Sequence, residues 1–387
     1  MIERSIYIEA ENPPTSELMG SIGYTGAGLE REEILKSSSD SDNYQHWRVR
    51  RSPDNGCTWS AEEEVADVNV QLPAGGIVTY PGAPQYDESS NRLYRISIKR
   101  IWPGNPIYTF VWKGHNHPFY DHVLLSENAG PAHCLRYEEG PDFDPENPFD
   151  PAFGKSNRAY RGQSICSDPT GRVFLPMVCY QQGDAYHFTR GGLVLMRRDA
   201  EGQWLSSNQL YIDPNISSRG LLEPDAAVLK DGRILVVCRG NNTPTTPGRK
   251  WMTFSDDGGR TLAPIEEFRY SDGSSFYSPS SIHRFIRSTR TGVLYWIGNI
   301  CSLPPERNLP RYPLYIGVVD EERMALERDS LLIIDDRGKD EPESLSFSNF
   351  LLLENRDTLD IELYMTRGAA WDVPGWKSSV YRYLFKP

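Results

Sequence analysis

A turn-and-strand unit recurs along this chain at intervals of about 60 residues, and that period limits the folds open to it. "DPTGRVFLPMVCY" (168–180), "LKDGRILVVCRG" (229–240), "TRTGVLYWIGNI" (289–300) and "NRDTLDIELYMTR" (355–367) each read as a polar turn followed by a β-rich run. "SSNRLYRISIKR" (89–100) fits one unit earlier. A second track precedes these runs: "YPGAPQYD", "YRGQSICS", "LEPDAAVL", "YSPSSIHRF" and "SFSNFLLL". A third track is a turn. "SPDNGCTWS" (52–60) places Ser, Asp, Gly and Thr at offsets that "SDDGGRTLA" (255–263) repeats, with worn copies in "SENAGPAHC" (126–134) and "MRRDAEGQW" (196–204).

The chemistry of that turn is structural. Asp54 is a short acceptor able to cap nearby backbone N–H groups, Gly56 supplies a positive φ, and Trp59 anchors the exit on apolar neighbours. No nucleophile stands beside a base. The full unit is therefore strand, turn, strand, third strand, Asp-type turn and fourth strand. Radial repetition of such units leaves only short sheet edges. The sequence predicts an all-β, six-bladed β-propeller of four-stranded antiparallel blades, one domain over residues 1–387. Five full units are expected between about Ile77 and Asp360. The sixth is expected where the tail "SSVYRYLFKP" joins the head "RSIYIEAE". A blade needs roughly 40 to 50 residues, so the surplus goes to loops.

Composition narrows the partners. With 41 basic against 53 acidic residues the net charge is −12, which argues against nucleic acid and requires a local basic cluster if an anion is to bind. No run approaches a membrane span. The start, "MIERSIYIEAENPP", has no apolar signal core, so the expectation is cytoplasmic as the sequence stands, and secreted or periplasmic if a signal was removed. The six cysteines form no C-x-x-C pair and several sit in apolar strands, which suggests buried thiols and no zinc. The acidic insertion 138–155 carries Asp142, Asp144, Glu146 and Asp150 but lacks the Gly and closing Glu of a calcium loop. It is read as a solvated loop over the funnel mouth. No metal or cofactor is expected.

Together "SPDNGCTWS", "SDDGGRTLA" and "LEPDAAVLKDGRILVVCRG" resemble the sialidase superfamily of Asp-box (BNR-repeat) β-propellers, over most of the chain. The resemblance implies a carbohydrate substrate and an exo-glycoside hydrolase acting on an anionic sugar, sialic-acid-like or uronic. It also implies an axial active site in which three arginines hold the carboxylate, a glutamate activates a tyrosine nucleophile, and an aspartate serves as acid/base. Glu223 looks like the family's glutamate. Arg239 and Arg311 look like two of the arginines. The tyrosine is expected one blade later, where this sequence has Phe347, and the N-terminal arginine motif is missing. The resemblance is thus to a divergent member.

Three further features invite chemistry. Tyr277 in "FYSPSSIHRF" shares the inner-strand register of Glu223 and is the candidate nucleophile or acid/base beside it. Arg367 ends a strand as Arg239 does and is the third candidate for anion binding, with a structural ion pair to Glu223 or Asp225 as the alternative. "GHNHPFYDH" (114–122) places His115 and His117 on one strand face as candidate substrate contacts. With Asp121 they could hold a metal, and His115 with Tyr120 could supply the base and acid of a polysaccharide lyase. His283 is read as a buried wall residue. The alternatives to hydrolysis are a lyase on a uronate-containing glycan and a non-catalytic carbohydrate-binding propeller.

Overall fold

The computed structural model describes residues 2–11, 16–40, 43–108, 119–162, 164–181, 190–368, 373 and 375–387, apart from the side chains at 39, 40 and 161. It is all-β, with six small antiparallel sheets of four to six strands arranged as a six-bladed propeller. Blade one comprises Ser16–Tyr24, Arg31–Asp40, Asn43–Ser52 and Glu63–Glu64. Blade two is built on Gly75–Tyr80, Pro84–Asp87, Arg92–Pro103 and Tyr120–Glu127, flanked by the short strands Asn69–Leu72 and His133–Cys134. Blade three runs through Ala159–Arg161, Cys166–Ser167, Val173–Cys179, Gly192–Arg198 and Trp204–Ser206.

Blade four is Leu222–Val228, Ile234–Arg239, Lys250–Ser255 and Glu266–Glu267. Blade five is His283–Arg287, Leu294–Asn299, Leu314–Asp320 and Ala325–Leu326, with Leu332–Asp335 added beside its third strand. Blade six is Leu351–Glu354, Ile361–Thr366 and Val380–Phe385, completed by Ile2–Ile8 from the other end of the chain. Ile2 faces Phe385 and Ile6 faces Tyr381 across this closure.

The head-to-tail joint predicted from sequence is present, but it supplies the outermost strand of the blade that begins at Leu351 and not a separate sixth blade. The complete blade at Ser16–Glu64 makes up the count. The expected four strands also become five or six in blades two, three and five.

Burial explains the strand sequences. The second strands Val173–Cys179, Ile234–Arg239, Leu294–Asn299 and Ile361–Thr366 are buried at every position, because a neighbouring blade covers each face. Their near-continuous apolar runs follow from that double cover. The outer strands Glu63–Glu64 and Glu266–Glu267 are short and acidic, which blunts the only edges a propeller leaves. Apolar clusters fill the seams between successive blades. One joins Val237 and Met252 of blade four to Phe285 and Trp296 of blade five.

The seam between blades six and one is different. Its apolar cluster is small, and ion pairs supplement it. Arg31 meets Glu362 at 2.8 Å with both side chains 1% exposed, and Tyr7 donates to Glu33 at 2.7 Å while Arg50 donates to the same carboxylate.

The Asp-type turns lie between the third and fourth strands, as the sequence implied. In the first, Asp54 accepts from the Thr58 N–H at 2.8 Å and from its hydroxyl at 2.6 Å, and Ser52 donates to Asp54 at 2.9 Å. Asp257 repeats this with Thr261 and Ser255 at 2.9, 2.7 and 2.9 Å. Burial acts to raise the Asp257 carboxyl, but the Thr261 N–H and hydroxyl with Ser255 and Arg260 outweigh it and hold it at about 2. Gly56 (φ +85°) and Gly259 (φ +80°) occupy the left-handed region that the turn requires. Trp59 lies against Arg50, whose guanidinium is 4.9 Å from the ring centre. Among the described residues no helix is long and apolar enough to cross a membrane.

Candidate functional site

The site grows from a defect in the ladder of blade four. Leu222 pairs with Arg239, and the next pair is Asp225 with Val237, so Glu223 and Pro224 bulge out of register. Glu223 takes a positive φ of +42°, an uncommon conformation for a residue with a side chain. Its carboxylate accepts from Arg239 Nη1 at 2.6 Å. Arg239 Nε donates to Ser280 Oγ at 2.6 Å, and Nη2 lies 3.4 Å from Asn308 Oδ1.

Two more cations gather on the same segment. Arg311 Nη2 donates to the Ser280 carbonyl at 2.8 Å. Lys250, the cross-strand partner of Arg239, is fully buried and its Nζ donates to the Ser281 carbonyl. Small side chains make this possible. Ser278, Ser280 and Ser281, on the approach to the inner strand of blade five, are all fully buried and leave room for three long basic side chains.

The electrostatics are one-sided. Burial pushes the Glu223 carboxyl up, but Arg239 first, and then Arg311 and Lys250, outweigh this and hold it below the usual carboxylate range. Glu223 is therefore a carboxylate at neutral pH. Burial, reinforced by Arg239 and Arg311, brings the Lys250 ammonium down to about 7. Among the described residues the charged groups that act on Glu223 are cationic: Arg239, Arg311 and, below about pH 7, Lys250. In a chain of net charge −12 this is the local basic cluster that anion binding requires. The Glu223 side chain keeps 20% exposure, while Arg239 keeps 8%.

The other predicted residues are placed differently. Tyr277 has its ring 4.5 Å beneath the Arg249 guanidinium, which also pairs with Glu267 of the outermost strand at 3.0 Å. Among the contacts of the described residues none joins Tyr277 to Glu223, Arg239 or Arg311. The expected register fails because Tyr277 forms an isolated bridge with Cys301, before the inner strand of blade five begins at His283.

Arg367 is committed to carboxylates of its own: Asp335 at 2.8 Å and Glu341 at 2.7 and 3.0 Å. It does not meet Glu223 or Asp225. Phe347 is fully buried in the seam between blades five and six, under Arg367, with ring and guanidinium 5.2 Å apart.

His115 and His117 lie outside the described residues. Their neighbour Asp121, considered as a metal partner, is bound by Arg100 through two contacts of 2.7 Å. His122 is buried and stacked on Phe153 at 3.9 Å, and burial brings it down to about 4. His283 is buried as read, with Nε2 3.0 Å from the Val237 carbonyl. In the acidic insertion Asp150 caps the helix Pro151–Lys155 and Asp144 accepts from the Glu146 N–H, which are turn-closing roles.

Sequence reasoning missed Lys250, Ser280 and Asn308. The one available signal for Lys250 was that a lysine opening the strand "KWMTFS" is paired with Arg239 once the hairpin is drawn.

Against known proteins, no family and no curated sequence matches the chain. Solved structures do match in shape. A protein of unknown function from Dyadobacter fermentans superposes with a TM-score of 0.61 at 13% identity, over 98% of both chains. The NanB sialidase of Streptococcus pneumoniae, as its K499G mutant, gives 0.59 at 14% identity over 96% of this chain and 68% of that one. The sialidase of Trypanosoma rangeli gives 0.57 at 13% identity over 99% of this chain and 59% of that one. The fold is thus a sialidase-like six-bladed propeller. At these identities the likeness carries the fold alone.

Proposed function

We propose that this chain is an exo-acting glycoside hydrolase of sialidase type, which grips the carboxylate of an acidic sugar with Arg239 and Arg311 and uses Glu223 as its base. The observation that carries the reading is the gathering of Arg239, Arg311 and Lys250, among the described residues, around one ionised carboxylate. A planar guanidinium suits a carboxylate through two parallel hydrogen bonds. The positive φ of Glu223 supports the same reading, since backbone strain of this kind costs about 1–3 kcal/mol and is concentrated at functional sites. The sialidases among the proteins of similar fold support the substrate class.

Phe347 bears on the mechanism. A phenyl ring cannot attack a sugar, so Glu223 acts on water in place of a phenol. Water attacks the anomeric carbon as the bond to the leaving group breaks, Glu223 takes the water's proton, and the departing oxygen takes a proton from solvent. The incoming sugar carboxylate competes for Arg239, which loosens its hold on Glu223 and strengthens Glu223 as a base. Single displacement inverts the anomeric configuration.

The test is a panel of sialylated and uronate-containing glycans, following free sugar, reducing ends and the absorbance of an unsaturated uronate, with NMR of the first-formed anomer. Release of an inverted acidic sugar agrees with the proposal. A retained anomer requires a nucleophile on the protein, and unsaturated uronate means elimination.

A second reading, non-catalytic binding of acidic glycans, is favoured by Phe347 and by the closed 2.6 Å contact between Arg239 and Glu223. It predicts saturable binding to the same panel without turnover.

A further inference from the structure

A second cavity, of about 200 Å³, lies where inner strands of several blades converge on the propeller axis. Its walls come from blades one, two, five and six and from Ser164 of blade three. Ile22 and Leu352 are among its apolar lining. Neither Glu223 nor Arg239 lines it.

The hydroxyls of Tyr24, Tyr86 and Ser164 in its lining donate to Asn55, Asn91 and Asp225, but three other polar side chains there have donors to spare among the described residues. Arg284 is 9% exposed, and among the described residues its one charged contact is a long one, with Nε 3.5 Å from Asp225 Oδ2. Among the described residues that Nε makes no hydrogen bond. Asp225 is occupied elsewhere: Oδ1 accepts from Ser164 Oγ at 2.9 Å and Oδ2 from the Phe285 N–H at 2.7 Å. Ser21 is 1% exposed, and its hydroxyl has no hydrogen-bond partner among the described residues. Gln85 spends its Oε1 on the Ile165 N–H at 2.8 Å, which leaves its amide N–H groups as donors.

Buried polar groups are ordinarily paired, and an unmet guanidinium is costly to hide. A guanidinium, a hydroxyl and a carboxamide lining one small space lack an acceptor-rich guest with several oxygens in a compact geometry. The apolar walls beside them admit a short hydrocarbon tail.

We propose that the axial channel is a binding site for a small oxyanion, with Arg284, Ser21 and Gln85 as its donors. The guest is an inorganic oxyanion such as phosphate or the carboxylate of a short organic acid. Both present the same oxygens to the guanidinium. This site is separate from the one at Glu223 and stands whether or not the chain cleaves sugars.

The experiment is calorimetric titration of the full chain with sodium phosphate, acetate and butyrate, each at constant ionic strength in chloride. A saturable site that persists in Arg239→Ala is expected for phosphate or for the carboxylates, and the class that binds there identifies the source. Arg284→Lys keeps the charge but loses the fork, and should weaken that binding by about 10-fold or more. Ser21→Ala removes a single oxygen and should weaken it by a few-fold. Arg239→Ala, in the other site, should leave it unchanged. Melting curves without added oxyanion establish that the variants fold, and if Arg284→Lys does not, Ser21→Ala carries the test. The proposal is overturned if no oxyanion gives saturable heat, if chloride competes equally, if the folded channel variants bind like the parent, or if Arg239→Ala abolishes the binding.

Discussion

Arg239 closes the second strand of blade four, and Arg367 follows the second strand of blade six at the same end of the sheet. Arg367 meets Asp335 and Glu341, so its positive charge is balanced within the protein. Arg239 meets one carboxylate, and its remaining contacts are the neutral Ser280 and Asn308, with Arg311 on the same Ser280 and Lys250 across the strand. The difference arises outside the blades' repeat. Blade five adds the strand Leu332–Asp335 and the loop carrying Glu341, and these deliver acid to Arg367, whereas the approach to blade five's inner strand delivers only serines to Arg239. An arginine at a strand end is thus not by itself a binding group. The balance of charge around it decides.

The largest effect separating the two is on stability. Arg367→Ala leaves the buried Asp335 with only the half-exposed Arg4 as a cationic partner and takes Glu341 off its arginine, and should cost about 3 kcal/mol of unfolding free energy in denaturant titration. Acidic-sugar affinity per folded molecule should stay at the parental value. A variant of normal stability that no longer binds would move Arg367 into the site. Next in size, Arg311→Ala should weaken an acidic sugar by roughly 2 kcal/mol in titration calorimetry, with no change for a neutral sugar. Equal losses for both would mean that Arg311 shapes the pocket and does not read charge.

Lys250 gives a pH signature that the Arg367 cluster lacks. Its folded value of about 7 lies below the ordinary 10.5, so the native state gives up its proton first. Stability should therefore rise as pH climbs from about 7 towards 10.5, and this rise should flatten in Lys250→Met, as read by melting temperature across pH. Affinity for an anion should increase below pH 7, where Lys250 is charged. A parent and variant with the same slope would contradict the assignment. The smallest effect belongs to the scaffold. Asp54→Ala should lower the melting temperature by a few degrees at most and leave sugar binding unaltered, because the turn lies between the third and fourth strands of blade one, away from the Glu223 cluster.

These contrasts also mark what the sequence made legible. Blades three to six announce themselves because their second strands are near-continuous apolar runs after a polar turn, and blade two because "RLYRISIKRIWP" alternates apolar with polar residues after one. Blade one was missed because its second strand, "REEILKSSSD", is polar, and it is polar because it faces the ionic seam where Arg31 meets Glu362 and Glu33 meets Tyr7. Glu223, Arg239 and Arg311 were readable from motif and repeat. Lys250 was not, since a lysine in a strand reads as exposed until the pairing with Arg239 buries it. Tyr277 was misplaced because counting along a repeat presumes an unbroken ladder, and the ladder has not begun at that residue. The partners of Arg367 lie some 30 residues away in chain and outside the repeat, where periodicity carries no information.

The central claim is that unbalanced positive charge at Arg239 holds an acidic sugar. Titration of parent and Arg239→Ala with a sialylated and a uronate-containing oligosaccharide, alongside their neutral counterparts, tests it most directly. The account predicts that the parent binds an acidic sugar and that the folded variant loses about 2–4 kcal/mol of that affinity while treating neutral sugars as before. A folded Arg239→Ala protein that binds acidic sugar as tightly as the parent would contradict it.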